Sequence, residues 1–241
     1  MTPVVSHRPD DLRTLVAAAS AGATPEALGM LLLREDPQFA RISARRAPAL
    51  VDAALEDGRR LAETSRLAWG AAPGAIAESN AVRVIKVGEA HDYGTTVLYA
   101  EYTERPPQIR LFLPAIDALN RCLGEATLQR VLGLSDATPV FLAHELYHHF
   151  DSMRASGRLA ARHRVPLLRL GPVRWSSGLA SLAEIAAGAF AQHLLGLRYH
   201  PKILDMITLF HADPRAARRM AYSLRGVGQR ASASEPEESA A

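Results

Sequence analysis

The sequence predicts an α+β fold, mostly helical, with a small and mostly antiparallel three-stranded sheet. Three observations lead to that class. Apolar residues recur at helical spacing on either side of the chain's middle, as Leu50, Val51, Ala54, Leu55 and Leu61 do. Between residues 81 and 113 lie three short runs, AVRVIKV, TTVLYAEYT and QIRLFL, rich in β-branched and aromatic residues. Alanine is plentiful and aromatics are only 6% of the chain, a composition suited to helices that pack closely through small side chains.

The elements follow in order. DDLRTLVAAASAG (10–22) opens with aspartates suited to a helix N-terminus and ends at Gly22. In TPEALGMLLLRED, Thr24 is a good N-cap and Pro25 fits the first helical position. The stripe of residues 47–69 makes a longer helix, and GAAPGA (70–75) breaks it as a candidate linker. The N-terminal helical region is therefore expected to span 1–69. After the three strands (81–87, 95–103 and 108–113), helical signals resume in PAIDALNRCLG, TLQRVLGL and DATPVFLAHELYHHFDSM. Residues 154–178, broken by prolines and glycines, read as one long loop of the kind that is usually functional. A strong helix is predicted over 179–197, with two more near 201–210 and 213–225. The tail 231–241, ASASEPEESAA, has the composition of a disordered acidic segment.

Composition excludes several function classes. The net charge is +3 and nearly all the positive charge is arginine, since Lys86 and Lys202 are the only lysines. The arginines are spread along the chain and not interleaved with aromatics, so the footprint of a nucleic-acid binder is weak. A single cysteine, Cys122, rules out an intramolecular disulfide and any multi-cysteine metal site. No stretch approaches the roughly 18 apolar residues needed to span a bilayer, and no basic leader with an apolar core opens the chain. A cytoplasmic location without membrane association is the expectation; oligomeric state is not legible.

The informative stretch is FLAHELYHHF (141–150), with three histidines and a glutamate in ten positions. His144 and His148 are four apart, about 40° around a helix, so both reach one ion. Glu145 projects beside them. This H-E-x-x-H pattern has a mechanical reading: two zinc ligands and a general base. Catalytic zinc wants a third protein ligand and one open position. The histidine-rich extension is excluded, because Asp151 and Arg154 stand where its glycine and third histidine would fall. Glu184, a lone acid among alanines and leucines in EIAAGAFAQHLL, supplies the alternative; burying it is costly unless it is paired or ligating. Ala187, Gly188 and Ala191 on the same face would let its helix approach the histidine helix.

HELYH followed by EIAAGAFAQHLL resembles the gluzincins, zincin metallopeptidases whose third ligand is glutamate. It is most similar to the ImmA/IrrE-type minimal zincins, whose second helix reads E-x-x-A-x-x-F-A-x-x-L-L. Glu184, Ala187, Phe190, Ala191, Leu194 and Leu195 match that pattern, and the likeness covers residues 80–200. The resemblance implies a zincin-like metallopeptidase domain over 70–230, with a small sheet against the active-site helix. It also implies Zn2+ on His144, His148 and Glu184, with Glu145 as base. Gly188 departs from the thermolysin-like pattern, which has an aspartate there, so that substrate range is not carried over.

The function expected is a zinc-dependent peptidase hydrolysing a peptide bond of a peptide or protein substrate, with a regulatory protease of narrow specificity as one form of it. The alternative is a non-catalytic binding or regulatory protein on a zincin scaffold; the intact Glu145 argues against it. An extended substrate would add to a sheet edge, with QIRLFL as the expected edge strand. Arg162, His163, Tyr147 and Tyr222 are candidate donors to the transition-state oxyanion. His149 is expected at the surface or behind the ligands, and His193 too far around its helix to reach the metal. Asp151 is a candidate to orient a histidine, and Trp69 and Trp175 are expected as core or interface anchors.

Overall fold

The computed structural model describes Leu12, Thr14, Val16, Ala17 and residues 24–89, 97–171 and 173–222. Most of the expected helix 10–22, the first residues of the expected strand 95–103 and the expected acidic tail 231–241 lie outside the described residues. The architecture is α+β and mostly helical. Helix α1 (Pro25–Glu35) starts as its sequence dictates, with the Thr24 hydroxyl accepting from the Ala27 N–H at 3.2 Å. Helix α2 (Arg46–Trp69) follows and ends at Gly70, whose φ of +83° only glycine adopts readily. GAAPGA is therefore a tight break, because Pro73 already opens helix α3 (Pro73–Ser79).

The sheet holds strands β1 (Arg83–Val87), β2 (Ala100–Glu104) and β3 (Pro107–Phe112) in the order β1-β3-β2. β2 and β3 are joined by a two-residue turn and pair antiparallel, whereas β1 pairs parallel with β3. The sheet is thus mixed, which corrects the mostly antiparallel expectation. The chain between β1 and β2 is long enough to cross over, so β1 lands on the far side of β3. QIRLFL is consequently the central strand and not the edge. Its burial explains this: Ile109, Leu111 and Phe112 are buried, while charged residues such as Arg83, Lys86, Glu101 and Glu104 lie on β1 and β2. Charged residues suit strand edges.

Helices α4 (Leu113–Leu123) and α5 (Ala126–Leu132) lead to α6 (Thr138–Ser152), which carries the histidine motif. Asp136 accepts from the Thr138 N–H at 2.9 Å, and Asn120 accepts from the Ala137 N–H at 2.8 Å, so the first turn of α6 is fixed. The expected long loop is mostly ordered structure: helix α7 (Leu159–Arg162), then a separate hairpin of β4 (Arg164–Leu170) and β5 (Val173–Gly178). Both strands of a two-stranded sheet are edges, so Pro166 is tolerated beside the register shift, and Gly171 turns the hairpin at φ +57°. Helix α8 (Ser181–Leu195) carries Glu184, followed by α9 (Ile203–Ala212) and helical residues 214–222. Among the described residues no helix is long and apolar enough to cross a membrane.

The core is continuous through these layers. Helix α8 lies between α2 on one side and α6 on the other, and α6 in turn covers β2 and β3. Ten of the residues of α8 are buried, so it is apolar nearly all round. Contact with α2 depends on Gly58: a Cβ there would stand 2.2 Å from the Ala186 carbonyl oxygen and 2.9 Å from the Phe190 nitrogen. Backbone cannot yield as a side-chain tip can. Helix α2 also supplies Asp57, which accepts from Arg154 (2.6 and 2.7 Å), Arg162 (2.9 Å) and the Tyr147 hydroxyl (2.8 Å). Burial opposes ionisation of Asp57, but these donors hold its carboxyl below the usual range. It thereby ties the C-terminal end of α6 and the segment after it to α2.

If this close approach carries the packing of α2 on α8, Gly58→Ala destabilises the protein by about 1–3 kcal/mol. Chemical denaturation reads the effect; an unchanged midpoint would show that the two helices separate at no cost.

Candidate metal centre

Three of the four predicted site residues converge on one point. His144 and His148, one turn apart on α6, face Glu184 in the first turn of α8. The His144 Nε2 lies 3.1 Å from Glu184 Oε2 and 3.3 Å from His148 Nε2, and His148 Nε2 lies 3.4 Å from Glu184 Oε1. The two histidines thus reach different oxygens of the Glu184 carboxylate, and with one ligand atom from each residue within 4.8 Å of the others, the His/His/Glu cluster could hold a metal ion. Two nitrogens and a carboxylate oxygen are also the right donors for a borderline divalent cation.

The electrostatics agree. Burial and the neighbouring His144 push His148 down to about 4, which keeps it neutral and able to ligate. Burial opposes a charge on His144 too, but the hydrogen bond and charge of Glu184 prevail and hold its proton affinity above the ordinary value. Burial likewise works against ionised Glu184; the hydrogen bond from His144 and the charges of His144, His148 and Lys202 outweigh it and bring the carboxyl to about 2. A protonated His144 makes an ion pair with the Glu184 carboxylate.

Glu145, the fourth residue, sits beside the cluster and is buried. Burial, then the charge of Glu184, push its carboxyl up to about 7, against the charge of His144 and the nearby Tyr102 backbone N–H of β2. The edge geometry explains why the N–H is available. Phe112 N donates to Tyr99 O, and antiparallel pairing alternates from there, so Ala100, Tyr102 and Glu104 turn their amides toward the free edge of β2.

The oxyanion candidates fare differently. Tyr147 is fully buried with its hydroxyl on Asp57, and Arg162 is committed to the same carboxylate, so both are parts of the α2 clamp. Neither lines the cavity beside the metal cluster, and His163 and the largely exposed Tyr222 do not line it either. Asp151 accepts from the Leu159 N–H at 2.9 Å and orients the start of α7, not a histidine. His149 is buried with its Nδ1 3.0 Å from the Tyr102 hydroxyl, behind the strand that touches Glu145. His193 is exposed at the far end of α8. Trp69 stacks on Phe150 with centroids 5.6 Å apart, whereas Trp175 is exposed.

Two residues that sequence reasoning missed do line the cavity, His200 and Lys202. Gly188 is the reason His200 fits: a Cβ at 188 would stand 2.3 Å from its ring. The small residue expected to bring α8 against α6 instead admits an imidazole one turn beyond Glu184. His200 Nδ1 accepts from the Lys202 N–H at 3.2 Å, and its Nε2 lies near the Ile185 carbonyl without the geometry of a hydrogen bond. Burial pushes it down to about 3, so it is neutral. Lys202 pairs with Asp205 at 2.8 Å. The only sequence signal was their place, a few residues past the glutamate helix.

Comparison with protein-family models, with curated proteins and with solved structures finds no match to this chain. The site stands on its own geometry. Because His144 must give up its proton to ligate, uptake of a divalent ion releases a proton below the raised His144 pKa. Apparent affinity, titrated with Zn2+ against a competing chelator, falls about tenfold per pH unit on acidification below pH 6.5, the ordinary histidine value that the His144 pKa exceeds. Affinity that does not change over that range would contradict the ligand assignment.

Proposed function

We propose that this chain is a zinc-dependent peptidase on a zincin-like fold, with His144, His148 and Glu184 as ligands and Glu145 as general base. The observation that carries the reading is the meeting of two histidines and one glutamate with a second, buried carboxylate that takes no part in the cluster. A purely structural ion needs no such carboxylate. Zinc suits two imidazoles and one carboxylate, and when bound it supplies Lewis acidity that polarises a carbonyl and makes water acidic near neutral pH.

The chain's own residues account for the rest. Glu145, buried beside β2, accepts a proton from the attacking water and returns it to the leaving nitrogen as the carbon–nitrogen bond breaks. Water and one peptide bond are consumed; one carboxylic acid and one amine are formed. A carboxyl raised by burial is well matched to taking a proton near neutrality. The edge of β2 supports a substrate track, because Ala100, Tyr102 and Glu104 present unpaired backbone groups to an extended peptide beside Glu145. This edge replaces QIRLFL in the role expected from the sequence.

Glu145→Gln keeps the size of the side chain and removes the base. In zinc-loaded protein it leaves metal content unchanged and lowers peptide hydrolysis by roughly 10²–10⁴-fold, measured with a quenched-fluorescent peptide library. Hydrolysis by the variant at the wild-type rate would remove Glu145 from the mechanism.

A further inference from the structure

The ligand cluster opens onto a cavity of about 550 Å³, within the range of small-molecule and side-chain sites. His144, Glu145 and Glu184 form part of its wall, so it is continuous with the reacting centre. The remaining wall is largely apolar, with Leu32, Tyr99, Val140, Phe141, Leu209 and Met220 from five different parts of the chain. Tyr99 spends its hydroxyl on Thr208 and stacks on Phe141 with centroids 4.2 Å apart, so it offers a ring face and no free donor. The other charged groups lining it are Glu35 and the Lys202–Asp205 pair, two carboxylates against one ammonium.

The position of the cavity relative to β2 says what enters it. Residues 97–100 line it, and Ala100 is one of the residues whose amides face the free edge. A peptide added to that edge lies along the cavity mouth. Its side chains alternate in direction, so one beside the scissile bond is directed into the cavity while its neighbours point away.

We infer that this cavity is the side-chain subsite of the protease, selecting peptides with a bulky aromatic or branched aliphatic residue beside the scissile bond and rejecting acidic ones. The inference rests on the peptidase reading given above and adds its substrate class. Apolar walls gain from covering such a side chain, and the excess carboxylate opposes an acidic one.

Hydroxamates, which chelate catalytic zinc, separate the two layers of the account. The affinities of zinc-loaded protein for acetohydroxamate and for 3-phenylpropanohydroxamate are measured by calorimetry, a readout independent of turnover. The phenyl compound binds about tenfold or more tightly than acetohydroxamate. Leu209→Trp, which fills the cavity, and Val97→Asp, which adds a carboxylate at its 45%-exposed rim, each abolish that advantage and keep acetohydroxamate affinity. Val97 is exposed enough that its substitution leaves the core intact, so the test survives if Leu209→Trp folds poorly. Equal affinity for the two compounds in the wild type, or an advantage that persists in both variants, overturns the subsite while leaving the metal centre standing. Failure of both compounds to bind overturns the peptidase reading, and the subsite with it.

Discussion

Everything in this molecule depends on holding two helices at one fixed separation and rotation, so that side chains of α6 and α8 meet at a point. The tolerance is tight: the histidine nitrogens and carboxylate oxygens lie 3.1–3.4 Å apart, and a shift of one helix by an ångström would break these contacts. Flexible side chains cannot absorb such errors in a site that must be preorganised. The fold therefore fixes both helices from several sides. Tyr147 and Phe150 of α6 contact Phe190 of α8. Gly58 seats α2 against the back of α8, and Asp57, one residue earlier, gathers Tyr147, Arg154 and Arg162. One turn of α2 thus registers both ligand helices.

Four ionisable side chains beside an apolar core set the second constraint: Glu145 is buried, His144 and His148 are half-buried and Glu184 is exposed. His144 and Glu184 face each other at 3.1 Å while burial keeps His148 neutral. Glu145 lies apart from those contacts, beside the Tyr102 backbone of β2. The sheet is small, yet it contributes at this point, because β2 is an edge strand packed against α6.

Much of this was legible in the sequence because it is carried by local patterns. The four-residue spacing of His144 and His148 survives any tertiary context that keeps α6 helical, and the lone acid Glu184 stood out against an apolar helix. The mixed sheet was not legible. Alternating residues reveal strands but not their order, and only the burial of Ile109, Leu111 and Phe112 in space shows that β3 is central. The hairpin at 164–178 was hidden by Pro166 and Gly171, residues that read as loop signals and are tolerated in a free two-stranded ribbon. Tyr147 stood beside the ligands in sequence but points to Asp57. Gly188 read correctly as a close approach and wrongly as to the partner, since nothing local relates position 188 to His200.

If Glu184 completes a three-ligand metal site with the two histidines, metal content read by mass spectrometry separates purified wild-type protein from Glu184→Ala, both prepared without chelators and supplied with zinc. About one zinc per wild-type chain is expected, largely lost in the variant. Wild-type protein that takes up no zinc, or a variant that retains it fully, would remove the three-ligand site.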